Sequence, residues 1–425
     1  MEGIAQLHSE PNLRFSRWIR FFAKCLWPRG YVALQKIKPT KKSSNFAREA
    51  SFAIPSVTRT IFLLITGASL SASVPVVFEP SPQPPEPIVQ FSEATYRIGW
   101  DIDMSPYAGG EDLLFAHRCL ERAEGWFISK TPLISSRSSQ ARFWRLSELV
   151  FAWLPCNYLA TVVQHEVFGH GYRIRDLSPA ASVEGYVFGT PIPYGNGGGA
   201  TKYGLGPKFT TSYETAVAMA GVESTAILAL LTKFKWLEAH KVDPRQVALY
   251  LLGQYDLPLY IGTIKEVTKH GDEFAVGHDM IGYVRALNLT YTASRLSTGK
   301  LRSLSWMNLG DPFTYYAIYA WFHYIATGRE TSIPMIPIGK WGYLPGVRLG
   351  LTPFGPEYFF ENFLCNKNRP LYFYFKAGWN AGNTYVGTGI YAAKIVTWNR
   401  WSLGTRVDLW RQPKILTHQG NNPFF

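Results

Sequence analysis

Two histidines and a glutamate stand in a stretch that otherwise looks built to be buried. Tyr158-Leu-Ala-Thr-Val-Val163 runs directly into Gln164-His165-Glu166-Val167-Phe168-Gly169-His170-Gly171. Ionisable side chains in an apolar helix are costly unless they pair or hold a metal. Neutral imidazole is a common metal ligand, and a carboxylate beside a metal-held water can act as general base. The familiar zinc-hydrolase spacing, H-E-x-x-H, puts its histidines on one helical face at i and i+4. Here the spacing is H-E-x-x-x-H. At about 100° per residue, His165 and His170 would point roughly 140° apart on a regular helix. They converge only if the helix widens locally, as in a π turn, and Gly169 tolerates that distortion. The plainer alternative is a helix end at which histidines meet the dipole and Gly171 caps the chain.

A second buried charge adds weight. From Ala216 to Leu231 the only strongly polar side chain is Glu223, in a run of Ala, Val, Met, Gly, Ile, Leu, Ser and Thr. An unpaired carboxylate there would cost several kcal/mol, comparable to a domain's whole margin of stability. The first stretch resembles the dipeptidyl-peptidase III family of zinc peptidases, whose helix carries H-E-L-L-G-H-G. His165, Glu166, Gly169, His170 and Gly171 match that motif. The resemblance implies that both histidines bind zinc and that Glu166 activates the zinc-held water. In that family a downstream helix with E-E-C-x-A-D/E supplies the third ligand through its second glutamate, and the counterpart here is Glu223. Val222 and Ser224 replace the residues flanking it, so this half of the match is loose. The resemblance covers these two short motifs and does not extend to the fold or the substrate.

The net charge of +13 suggests nucleic acid until it is located. Eleven of the 43 basic residues lie before residue 60, against three of the 30 acidic ones. The remainder is nearly balanced and carries no basic stripe, which argues against nucleic-acid binding. Cys25, Cys119, Cys156 and Cys365 are widely spaced with no C-x-x-C pair, so neither a disulfide framework nor a Cys-type zinc site is expected. They read as small buried hydrophobes.

Residues 1–59 form a basic leader. Arg59 precedes Ile61-Phe-Leu-Leu-Ile-Thr-Gly-Ala-Ser-Leu70 and small residues through Ser73, the layout of a secretory signal peptide. Such a signal should begin near an N-terminus, which suggests a true start near Val57. Residues 74–95 are a Pro-rich extended linker.

Residues 96–332 read as mainly helical. Expected elements are an amphipathic helix at 110–122 and a long apolar helix at 143–170, kinked or broken at Pro155, with Asn157 as N-cap. Helices at 212–234, from Asp243-Pro244 to Tyr255, at 280–288 capped by Asp279, and from Asp311-Pro312 to Ala326 follow. Their apolar runs of about 16 residues or fewer suit buried core helices better than bilayer spans. Residues 182–206 read as a hairpin with a glycine loop, suited to a substrate-edge strand or a lid.

From 333 to 425 the period changes to two. Leu371, Phe373, Phe375, Ala377 and Trp379 alternate with Tyr372, Tyr374, Lys376 and Gly378; residues 401–409 behave alike. Strands of about ten residues rich in Tyr, Trp and Gly resemble those of outer-membrane barrels, although five or six are fewer than the smallest barrel needs. A soluble antiparallel sheet packed on the helices is the alternative.

The expected fold is therefore α+β: a mainly helical metallohydrolase-like domain followed by an antiparallel β meander or partial β-barrel. The expected function is an envelope-associated zinc metallopeptidase, in the outer membrane or periplasm of a double-membrane bacterium. It would act on a peptide or protein. Zn2+ would be held by His165, His170 and Glu223, with Glu166 catalytic. Tyr172, Arg173, Tyr213 and His278 are candidates to stabilise the oxyanion. The competing expectation is a non-enzymatic, barrel-associated structural or binding protein whose buried polar residues merely pair with each other.

Overall fold

A computed structural model describes residues 94–99, 101–128, 137–189, 198–268, 278–398 and 401–412. The basic leader, the signal-like segment, most of the Pro-rich linker, Cys25 and the tip of the glycine loop lie outside them.

The chain is organised on one helix, α3 (Thr211–Ala239), which follows α1 (Pro106–Ile128), α2 (Ser139–Asp176) and the hairpin β1 (Ala181–Phe188) and β2 (Gly199–Leu205). Thr210 caps α3 by accepting the Tyr213 N–H, and His240 ends it in the left-handed conformation. Nearly every face of α3 is covered, so it has no polar side to give to water. Its C-terminal half packs Phe234 against Phe363, Tyr372 and Tyr391 of the sheet, and Trp236 against Tyr250. Each such side chain stabilises the fold by roughly 1.5–3 kcal/mol.

Charges on this helix survive burial because each is paired. Lys233 meets Glu361 at 3.1 Å and also Asp311, Lys235 meets Glu111 at 2.8 Å, and Glu238 meets Lys394 at 3.3 Å.

The sequence reading of α2 needs two corrections. Pro155 does not break it. A wide π turn over Glu148–Trp153 ends where the Leu154 N–H reaches Leu149 O, just before the residue that has no N–H to give. Asn157 is not a cap. It is buried within the helix, where its carboxamide faces His117 Nε2 at 2.9 Å and donates to Arg245 O at 2.6 Å. Both α2 and α3 are long and apolar enough to cross a membrane by length and composition, beyond what the apolar runs suggested; the apolar 18-residue stretch of α3 is nevertheless 83% buried within the protein, and that of α2 28%.

After α3 come β3 (Lys241–Val242), α4 (Val247–Thr268), α5 (Asp279–Thr290), α6 (Thr298–Ser305), a 3-10 turn (Trp306–Gly310) and α7 (Pro312–Thr327). Asp311 caps α7 as expected, accepting the Phe313 N–H at 3.1 Å. Asp243 instead accepts the Arg245 N–H at 2.9 Å in a turn before α4, which runs on past Tyr255 and through Pro258.

The strands are β4 (Thr331–Ser332), paired with β3, and then β5 (Ile336–Ile338), β6 (Trp341–Thr352), β7 (Gly355–Asn366), β8 (Arg369–Asn380), β9 (Asn383–Trp398) and β10 (Trp401–Arg411). The last six form one antiparallel sheet in the order β10-β9-β8-β7-β6-β5, a plain meander open at both ends. Among the described residues it does not close into a barrel. One face, with Phe359, Phe363 and Tyr372, packs on the helices within the same core. The other face carries exposed apolar side chains, among them Phe360, Phe375 and Leu403. Phe373 on that face is half-buried.

Candidate metal centre

The H-E-x-x-x-H stretch contains the wide turn that its spacing requires. Glu166–His170 is a π turn, closed by the Gly171 N–H donating to Glu166 O five residues back. The extra residue brings His165 and His170 to one side, with ring centroids 4.9 Å apart. Two glycines allow this helix to approach α3. A Cβ on Gly169 would stand 2.8 Å from Gly221 Cα, and one on Gly221 would stand 2.2 Å from His165 Nε2. The tight crossing lays the His165 ring directly over the backbone of α3.

The third donor is Asp279, at the first turn of α5. Its Oδ2 lies 3.1 Å from His170 Nε2 and 3.5 Å from His165 Nε2. One ligand atom from each of His165, His170 and Asp279 falls within 4.8 Å of the others. Donors on a shared ion at about 2.0–2.2 Å lie roughly 3–4 Å apart, so the group has the dimensions of a metal centre. The far nitrogens are also engaged. His165 Nδ1 lies 2.9 Å from Asp256 Oδ2, and His170 Nδ1 lies 2.8 Å from Val217 O. Once each imidazole is neutral, donation from Nδ1 to those acceptors leaves its Nε2 lone pair available beside Asp279, the arrangement found around metal-binding imidazoles. Asp256 is itself held by the Thr225 hydroxyl at 2.6 Å.

Glu223 is not part of this group. Its carboxylate accepts the Leu351 N–H at 2.5 Å and lies 3.9 Å from Arg348, so the sheet satisfies it. Burial pushes it up to about 7, which Arg348 and the Leu351 N–H only partly offset. The lone acid on α3 does have a partner, and it is β6 rather than a metal.

Glu166 is fully buried, and its carboxyl feels the charges of His165, His170 and Asp279. The Thr201 hydroxyl donates to its Oε2 at 2.8 Å and to its backbone oxygen at 3.0 Å. A Cβ on Gly199 would come within 2.7 Å of Glu166 Cγ, so β2 lies directly against this side chain. Burial raises its pKa, and the two imidazoles pull the other way. Burial alone would lower the histidines. The Asp256 carboxylate takes His165 up to about 10, and Asp279 raises His170. Burial likewise opposes charge on Asp279, yet His170 and His165 hold it well below the usual carboxylate range.

The four oxyanion candidates do not converge on one point as a set. Arg173 is paired with Asp176 at 2.9 Å and Tyr172 lies against its guanidinium. Tyr213 packs with Phe209 in the core beneath the hairpin. His278 lies next to the site, stacked on Tyr260 at 4.3 Å, with Nε2 at 3.0 Å from the Thr263 hydroxyl.

Sequence reasoning missed Asp279 as a donor because an aspartate opening a helix is adequately explained as a cap. Asp256 was missed because the expected helix stops at Tyr255, one residue before it, whereas α4 continues to Thr268. Asp256 is the one charged side chain between Val247 and Ile264, the same signal that drew attention to Glu223. Among the described residues Cys119 and Cys156 are exposed and only Cys365 is buried, which corrects the expectation of buried thiols. None joins the metal group.

No family model matches this chain, and no curated protein or solved structure matches it either.

Proposed function

We propose that the chain is a zinc-dependent hydrolase of the cell envelope acting on peptide bonds, with zinc held by His165, His170 and Asp279. The observation that carries this reading is the convergence of the two Nε2 atoms and the Asp279 carboxylate beside a buried glutamate that is not needed as a ligand. Two imidazoles and one carboxylate suit zinc with a position left for water. They also suit Fe(II), but a neighbouring carboxylate base favours hydrolysis.

When bound, the ion supplies Lewis acidity and brings the pKa of a coordinated water towards neutrality. Glu166 would act as general base, taking a proton from a water at the open position as that water's oxygen added to the substrate carbonyl carbon. As the C–N bond breaks, Glu166 returns the proton to the leaving amine. Its raised pKa fits both roles, because base and acid work is most effective near the operating pH. The Thr201 hydroxyl holds the carboxylate in place. Because β2 lies on Glu166, an extended peptide adding to the hairpin edge would pass close to the base. That geometry favours a peptide over a small compact substrate. The envelope address rests on the signal-like segment after Arg59.

The test is turnover of an unstructured, quenched-fluorescent polypeptide by zinc-loaded protein and by Glu166→Gln. The variant should keep its zinc and lose about 10²–10⁴-fold in rate. Unchanged turnover in a zinc-loaded Glu166→Gln protein would remove the base from the mechanism.

A further inference from the structure

The outer face of the meander from β7 to β10 is mainly apolar, interrupted by Asn362, Thr388 and, at the β10 edge, the exposed Arg411. Register aligns Phe360, Phe375, Thr388 and Leu409 in one row across four strands. The next row towards the opposite end aligns Asn362, Phe373, Ile390 and Val407. Phe375 is 55% exposed and Leu409 66%, so these side chains face outward rather than each other. The surface continues beyond the sheet, because Val347, which pairs with Phe360, packs on Gly310 of the 3-10 turn bearing exposed Trp306 and Leu309. A patch crossing several strands exceeds the scattered apolar residues that a monomer in water normally shows.

Charge on the rim identifies the occupant. An antiparallel meander places alternate turns at one end of the sheet. The β5–β6 turn brings Lys340 there, and the β7–β8 turn brings Lys367 and Arg369; all three are exposed. No acidic residue occurs in either turn. The same end carries Trp341. The β6–β7 and β8–β9 turns at the opposite end, Pro353-Phe354 and Ala381-Gly382, carry no charge, and the exposed Trp379 and Arg411 near that end are set back within β8 and β10. Tryptophan beside lysine and arginine at the margin of an apolar surface is the composition of a membrane interface. A second copy of the chain would gain nothing from basic turns gathered at one end.

We infer that the outer face of the β5–β10 sheet lies flat on an anionic bilayer, with its apolar rows at the acyl boundary and the Lys340, Lys367 and Arg369 end among the headgroups. A flat pose also accounts for the open edges. Among the described residues no strand pairs the outer edge of β10; such backbone is not tolerated inside hydrocarbon, but at the interface water and headgroups satisfy it. This surface does not depend on the metal centre, and it bears on where the protein works rather than on what it cleaves.

The test is flotation of the full-length protein with vesicles of phosphatidylcholine containing 30% phosphatidylglycerol, and with vesicles of phosphatidylcholine alone. Binding should favour the anionic vesicles and weaken with salt. At roughly a fivefold loss per charge, Lys340→Gln/Lys367→Gln/Arg369→Gln should lower partitioning by about a hundredfold. Phe375→Asn/Leu403→Asn/Leu409→Asn should abolish it, and since those side chains face solvent, an unchanged circular dichroism spectrum checks the fold. Binding that is equal for both vesicles and unaffected by either triple variant overturns the inference. So does a protein that ignores vesicles but forms a dimer dissociated by the apolar triple variant, which would assign the face to a second copy.

Discussion

The imidazole of His165 meets the carboxylate of Asp256 at 2.9 Å, joining two residues 91 positions apart in the chain. The contact fixes which nitrogen of His165 carries the proton and which one faces Asp279. Asp256→Asn removes the charge yet keeps the shape, and should lower metal affinity about 10–100-fold with little change in the folded structure. Competition with a calibrated zinc chelator measures this. An unchanged affinity would mean that the tautomer is set elsewhere.

Metal uptake should depend steeply on pH. With the metal absent, Asp256 keeps His165 protonated up to about 10, and His170 is raised as well. Both protons must leave for the Nε2 atoms to act as donors, so affinity should rise with pH, about tenfold per pH unit for each proton released. Chelator titrations at pH 6, 7 and 8 read the slope directly. A flat profile would contradict protonated histidines in the metal-free protein.

Gly221→Ala tests the helix crossing. The added Cβ would lie 2.2 Å from His165 Nε2, and a ring packed against α3 cannot yield by so much without leaving its place. The expected result is loss of metal together with destabilisation of about 1–3 kcal/mol, the usual range for overpacking. Full metal retention at wild-type stability would show that the two helices are less closely apposed.

A second buried cluster predicts how stability varies with pH. Burial pushes Glu148 up to about 8 from an ordinary 4.5, only partly offset by Arg245, with Glu124 raising it further. The folded protein therefore keeps a proton that the unfolded chain loses between those values. The stabilising contribution is complete below about 4.5 and disappears as pH rises through about 8. Urea midpoints of the native protein should fall between pH 6 and pH 9, and Glu148→Gln should flatten that fall. A steeper fall in the variant would reverse the assigned direction.

What the sequence disclosed followed from periodicity and from the cost of isolated charges. The i to i+5 histidine spacing demanded a wide turn, and Glu166–His170 forms one. Alternation after residue 333 marked an antiparallel sheet, while whether it closed depended on strand count and edge pairing that alternation does not encode. Glu223 illustrates the limit of the charge argument. A buried carboxylate must have a partner, but its sequence does not say whether that partner is a metal or, as here, the Leu351 N–H and Arg348. Asp279 shows the converse: one residue type at a helix start serves equally as a cap or as a ligand, and only the approach of α5 to the π turn decides between them.

The account depends above all on which acid completes the metal group, and zinc content by elemental analysis decides it. Full-length protein, Asp279→Ala and Glu223→Gln would be compared after equilibration with limiting zinc. The account predicts close to one zinc per chain in the native protein and in Glu223→Gln, and little in Asp279→Ala. Zinc retained by Asp279→Ala and lost by Glu223→Gln would contradict it.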